Sequence, residues 1–266
     1  MVKLSSPMRV AFIGAGRLAT NLAPALQEAG CEVVEVWSKS QASAEALAAR
    51  VGCKSSWGRV GDATHDADLY LISVTDSALP EVICQLHQGR EHALFAHTAG
   101  SLPLSLFTEA GHERGAVFYP MQTFSKERAV DFTQVHFFIE AAQSADFDQL
   151  HTLAGLLTAE DHIHPCTSAI RRRLHLAAVF ACNFVNHCCS LADDILQDGG
   201  LDFSVMLPLL DETVAKLHQL PPRQAQTGPA ARRDRNVMGM QRAMLTDRPD
   251  LQQIYTLLSN SIMNNP

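Results

Sequence analysis

Three absences narrow what this chain does before any motif is considered. No uninterrupted apolar run reaches the roughly 20 residues that cross a bilayer, and the first residues lack the apolar stretch of a secretory leader. The expectation is a cytoplasmic protein with no membrane partner. An excess of positive charge is also missing: 21 Lys and Arg against 28 Asp and Glu leave a net charge of −7 and a pI near 5.9. An acidic surface repels phosphate backbones, so nucleic acid is excluded as the main partner. The third absence is a disulfide framework. Seven cysteines, scattered between Cys31 and Cys189, are odd in number and read as reduced side chains. Internal repeats and low-complexity tracts are absent too.

What is present begins with Val10-Ala11-Phe12-Ile13-Gly14-Ala15-Gly16-Arg17-Leu18-Ala19, a short apolar strand, a glycine turn and a helix start. Gly14 permits the tight turn, Gly16 lets backbone approach a phosphate, and small Ala19 lets the helix pack close to the strand. Free N–H groups and the positive helix end would then face an anion. Leu18, Leu22 and Leu26 continue the helix to Gly30, with Pro24 expected to bend it. A second strand spans Glu32 to Trp37. NAD-preferring sites place an acid at the end of this strand to hold the ribose hydroxyls. Here the position reads Trp37-Ser38-Lys39-Ser40, and the nearest acid, Glu35, comes too early. Two hydroxyls and an ammonium suit a 2′-phosphate, so NADP(H) is expected over NAD(H); alternatively, these residues only cap the helix from Gln41 to Val51.

With 266 residues, 47% of them hydrophobic, the chain can bury one large core or two smaller ones. Strand and helix patterns alternate to about residue 165. They predict an α/β domain over residues 1–166, a Rossmann doubly wound, mostly parallel sheet. Its strands include Leu69 to Val74, Leu94 to Thr98, Val117 to Tyr119 and Val135 to Glu140. Ligands of such sheets bind beyond the strands' carboxyl ends, which selects Thr75-Asp76, His97 to Ser101 and Tyr119 to Thr123. From Ala169 a helical pattern runs to Asp198, ended by Gly199-Gly200, and opens an all-α domain over residues 167–266 with further helices at 204–220, 236–246 and 250–260.

The long helix carries Asn183, His187, Ser190 and Asp194 on one face, at spacings of four, three and four. That stripe meets either a cleft or a partner helix. His175, near the helix start, is either a structural histidine or a donor in a cleft between the domains. Arg171-Arg172-Arg173 and Arg232-Arg233 with Arg235 read as solvated faces that could hold a phosphate or carboxylate. His162, His164 and Cys166 could bind a metal in principle. Their alternation fits a short strand better, and no second ligand pair stands at zinc spacing, so no metal is expected.

Taken together these residues resemble the superfamily of 6-phosphogluconate and β-hydroxyacid dehydrogenases and pyrroline-carboxylate reductases. Within it the chain is most similar to a branch of Rossmann-like oxidoreductases with a C-terminal domain of unknown function. The resemblance covers nearly the whole chain. It is carried by the glycine turn, Trp37 to Ser40, Val74-Thr75-Asp76, His97-Thr98-Ala99-Gly100-Ser101, Tyr119-Pro120-Met121-Gln122-Thr123-Phe124, Arg171 with His175 and Asn183, and Thr227-Gly228-Pro229 with Arg232 and Asp234. It implies a C-terminal domain like that of 6-phosphogluconate dehydrogenase. It also implies that Ser38 to Ser40 meet the adenosine ribose or its phosphate, that Thr75-Asp76 lie beside the cofactor, that Thr98 to Ser101 border the nicotinamide, and that the long helix closes over the substrate.

Several hydroxyacid dehydrogenases carry a proton-donating lysine four residues before an asparagine on that helix. If Asn183 is that asparagine, the lysine position holds Val179, and no lysine occurs between Lys126 and Lys216. Histidine donates protons near neutral pH. His175 and then His97 become the candidate donors, with Asn183 and Gln122 orienting the substrate. The expected function is an NADP(H)-dependent oxidoreductase acting on a small-molecule carbonyl or imine between the domains, in a homodimer formed by the helical domain. The alternative is a non-catalytic NADP(H)-binding sensor or scaffold.

Overall fold

The computed structural model describes residues 6–264. Its first part is a three-layer α/β/α arrangement around one eight-stranded sheet, ordered β3-β2-β1-β4-β5-β6-β7-β8. The strands are β1 (Arg9–Ile13), β2 (Glu32–Trp37), β3 (Lys54–Ser56), β4 (Leu69–Ile72), β5 (Leu94–His97), β6 (Gly115–Met121), β7 (His136–Ala141) and β8 (Ile163–Pro165). All neighbours run parallel except β6 and β7, whose antiparallel register sets Tyr119 opposite Phe138. The helices of this part are α1 (Arg17–Glu28), α2 (Gln41–Val51), α3 (Leu79–His87), α4 (Ser105–Glu109), α5 (Ser144–Gly155) and α6 (Ser168–Ala178).

Strand alternation explains the two cores. Val10, Phe12, Leu69 and Leu71 face one side with Leu22, Leu26 and Leu47 from the helices, while Ala11, Ile13, Tyr70 and Ile72 face the other with Ile83, Leu86 and Phe107. Each fully buried Val, Leu, Ile or Phe among them contributes about 1.5–3 kcal/mol of apolar transfer. The chain leaves β1 for β2 on one flank and resumes at β4 on the other flank of β1. A crevice therefore opens between the β1 and β4 ends, where ligands of open sheets bind. Pro24 lies inside α1, which nevertheless runs on to Glu28.

The expected single helix from Ala169 is instead α6, a π-helical turn over Val179–Phe184, and α7 (Val185–Asp198). Together they span Ser168–Asp198, 31 residues with a mean hydropathy of 1.3 in the most apolar window. This corrects the expectation that no segment is long and apolar enough to cross a bilayer: by length and composition alone, this one is. The average runs high because Val, Phe, Leu and Cys outweigh the polar stripe in the same turns.

Contacts divide the chain within this helix, one unit running to Cys182 and the other starting at Asn183. α6 belongs to the sheet unit because Arg171, one turn into it, is wholly buried there. The second unit comprises α7, α8 (Leu207–Leu217), the single turn α9 (Pro222–Ala225), α10 (Arg235–Ala243) and α11 (Pro249–Asn264). Asp234 caps α10 by accepting from the Val237 N–H at 3.2 Å. Among the described residues of this unit only Ala230 and Ser259 are buried, while Leu209, Val214, Met240, Met244 and Leu257 are exposed. His187 and Asp194 of the polar stripe line a cavity of about 560 Å³ with Arg248 and Asp250 of the same unit.

Candidate functional site

The glycine turn has the geometry its residues require. Gly14 sits at φ +114°, and a Cβ there would come within 2.6 Å of the Ser73 carbonyl oxygen, so both backbone conformation and space exclude a side chain. α1 follows with no side-chain cap and no acidic residue in its first turn. Its leading N–H groups are thus available to an anion, and the helix dipole favours one.

A cavity of about 530 Å³ opens over this turn. It gathers Gly14, Ala15, Gly16, Ser38, Lys39, Val74 and Thr75, seven of the residues expected to hold a cofactor. Glu35, the nearest acid, is turned out of use: its buried carboxylate takes the Lys54 ammonium at 3.0 Å, the Thr64 N–H at 3.1 Å and the Ser56 hydroxyl. The end of β2 therefore presents Lys39 and no carboxylate, which fits a dinucleotide with a 2′-phosphate. Ser40 corrects the expectation. Its hydroxyl caps α2 by accepting from the Ser43 N–H at 3.4 Å, and Ser43 takes its place on the cavity wall. Leu18 packs on the core and the Arg17 side chain is exposed outside the cavity lining, so at these positions only the backbone N–H groups can serve.

A second cluster forms at the ends of β4, β5 and β6. The Ser101 hydroxyl donates to the Asp76 carboxylate, and the Thr98 N–H donates to the Ile72 carbonyl at 3.2 Å. Gly100 lies against His175, and a Cβ there would meet the imidazole Nδ1 at 2.5 Å. The Tyr119 hydroxyl stands 3.1 Å from the same Nδ1. Burial raises the Tyr119 pKa despite the opposing pull of the Arg171 charge, which keeps the phenol protonated.

His175 is held in place from one turn below. The Arg171 guanidinium pairs with Glu140 on β7 at 2.5 Å and donates to the Leu102 carbonyl. Ser168 donates to the same carboxylate at 2.7 Å and accepts the Leu104 N–H at 3.0 Å. Arg171 is therefore no solvated cation, whereas Arg172 and Arg173 are exposed.

His97 is corrected as a proton donor. It is wholly buried, its ring stacks on Phe107 with centroids 5.6 Å apart, and its Nδ1 accepts the Ala99 N–H at 3.2 Å. Burial, reinforced by the Arg171 charge, pushes its pKa down to about 3, so it stays neutral. Gln122 turns its amide oxygen onto the Thr123 N–H at 2.8 Å, which ties it to its own loop. Asn183 is exposed and opens the second unit. Sequence reasoning missed Trp37, Ser43 and Lys126 as cavity walls, and Tyr119 as the partner of His175. Only Tyr119 left a signal, by its place at a strand end.

A glycine turn without room for a side chain, an uncapped helix start and a cavity at the strand-order switch define a Rossmann-type dinucleotide-binding protein. Residues 3–121 match a Rossmann-like domain, and residues 135–262 match a domain of unknown function, DUF2520. The chain is 45% identical to a putative NADP oxidoreductase from Bacteroides fragilis, over 97% of this chain and 98% of that one, with a TM-score of 0.91. The chain belongs to this family of Rossmann-like proteins with a DUF2520 C-terminal domain. At 16% identity, an imine reductase from Myxococcus stipitatus shares the fold over 97% of this chain and 94% of its own, with a TM-score of 0.62. A pyrroline carboxylate reductase from Plasmodium falciparum, solved with NADP bound, does so at 11% identity over 96% and 98%, with a TM-score of 0.60. No protein of curated function matches the chain.

Proposed function

We propose that this protein is an NADP(H)-dependent oxidoreductase that reduces a carbonyl or imine on a small molecule. The observation that carries this reading is the cavity over the glycine turn, with Lys39 at the end of β2 and Glu35 withdrawn into its own ion pair. The relative from Bacteroides fragilis, named as an NADP oxidoreductase, supports the same cofactor. Bound NADPH supplies a hydride to the electrophilic carbon.

The chain's own part is the proton. In its imidazolium form His175 donates from Nδ1 to the Tyr119 oxygen and holds a second proton on Nε2, which can pass to the carbonyl oxygen or imine nitrogen and leave a neutral imidazole. Tyr119 orients the ring, Gly100 makes room for it, and Arg171 with Glu140 fixes the backbone that carries it. Thr75, Asp76, Thr98 and Ser101 shape the nicotinamide end. NADPH oxidation by the purified protein, measured against a panel of cyclic imines, ketones and aldehydes, tests the reading. Turnover of any panel member that depends on His175 supports it. Tight NADPH binding without turnover would favour a cofactor-binding sensor, the reading that Val179 at the usual lysine position favours.

We also infer a homodimer through the helical unit. Thirteen large apolar side chains from Val185 to Leu258 are exposed there against two buried residues. Apolar side chains exposed in that number suit burial against a second copy, where a stable interface covers about 800 Å² per partner.

A further inference from the structure

The cavity over the glycine turn has one wall that lies far away in sequence. Lys126 belongs to the segment that follows β6, yet it borders the same space as Gly14 and Gly16. The segment is built into place. Phe124 packs on the core and tilts against Phe132 with centroids 6.2 Å apart, and Val130 packs on the same core. Between these anchors Asn21, one turn into α1, grips both sides of the loop. Its amide nitrogen donates to the Ser125 carbonyl at 2.8 Å and to the Arg17 carbonyl at 2.9 Å, and its amide oxygen accepts the Val130 N–H at 3.2 Å. The residue next to Ser125 is thereby set beside the first turn of α1, at the helix end that favours an anion.

Neither Lys39 nor Lys126 makes an ion pair among the described residues, although both line the cavity. The one carboxylate on the wall, Glu81, takes the Gln85 amide at 2.9 Å. A cavity with two unpaired ammonium groups and one carboxylate suits a ligand with more than one phosphate group. Lys39 follows the end of β2, and Lys126 follows Ser125, which Asn21 of α1 holds.

We propose that Lys126 is a pyrophosphate-binding residue, and that Asn21 is the positioning residue that holds it there. The proposal rests on the dinucleotide reading of the same cavity. The pyrophosphate is common to NADPH and NADH, so the two lysines separate by cofactor: Lys126 serves both, and Lys39 serves the 2′-phosphate alone.

Calorimetric titration of the full chain with NADPH and with NADH tests this, using wild type, Lys126→Ala, Lys126→Arg and Lys39→Ala. Lys126→Ala is expected to weaken both cofactors by the same factor, about 10- to 150-fold for one charge-assisted contact, more at low salt than at high salt. Lys126→Arg keeps most of the affinity, and Lys39→Ala weakens NADPH alone. Asn21→Ala weakens both cofactors, and the Asn21→Ala, Lys126→Ala double variant binds no worse than Lys126→Ala, because Asn21 acts through the lysine. Unchanged affinity in Lys126→Ala, or loss confined to NADPH, overturns the assignment while leaving the dinucleotide reading intact. Failure of wild type to bind either cofactor overturns both.

Discussion

Tyr119 and His175 are 56 positions apart, and their side chains meet at 3.1 Å where β6 and α6 come together. The contact engages the imidazole through Nδ1. Replacing His175 by Ala is expected to lower turnover about 10²–10⁴-fold, the usual size of a lost general acid, with NADPH affinity unchanged. Tyr119→Phe keeps the ring packing, loses the hydrogen bond, and should cost less. Single-turnover rates beside cofactor titrations would show this. Full activity in His175→Ala would remove the residue from the chemistry.

The Arg171 and Glu140 pair makes a prediction about stability. Arg171 has no exposed surface, so removing Glu140 strands a buried charge. Breaking such a pair costs about 3–5 kcal/mol. Arg171→Met and Glu140→Gln should each lower Tm by roughly 6–20 °C at about 2–4 °C per kcal/mol for a domain of this size. The double variant should lose less than the two losses combined. Simple additivity in thermal melts would show that the two residues act independently.

The fold was legible in residues 9–37, where glycine spacing and strand alternation reflect local backbone demands. The end of β2 was legible for the same reason, since the missing acid and Lys39 lie within three residues of each other. Ser40 misled because capping and phosphate binding call for the same hydroxyl. His97 misled because its place at a strand end says nothing of which side of the sheet it faces, and it faces Phe107. Lys126 could not be found: the chain must fold back through Phe124 and Asn21 before it lies near the glycines. The all-helical pattern after Ala169 was clear, but its π turn depends on backbone register that composition does not encode.

His97 also bears on acid stability. Its folded pKa of about 3 lies below the ordinary 6.5, so the unfolded chain binds a proton that the folded protein refuses. The contribution of this group is whole above about pH 6.5 and is lost as pH falls toward 3, at up to about 1.4 kcal/mol per pH unit. His97→Asn, which keeps an acceptor for the Ala99 N–H, should flatten the acid limb of stability. Urea midpoints between pH 4 and 7 measure it, and parallel limbs for the two proteins would refute the claim.

The exposed apolar helices predict a dimer that depends on them. Val185 is half exposed on α7. Val185→Asp is expected to shift the protein from dimer to monomer or to aggregate, as read by light scattering with sedimentation. A monomeric wild type at micromolar concentration would contradict the inferred assembly.

The central claim is cofactor choice, and one titration tests it most directly: nicotinamide fluorescence of NADPH and NADH with the wild type and with Lys39→Ala. The account predicts tight NADPH binding, poor NADH binding, and a loss of about 10-fold or more for NADPH alone in the variant. Equal affinity for the two cofactors, or a Lys39→Ala protein that still prefers NADPH, would contradict it.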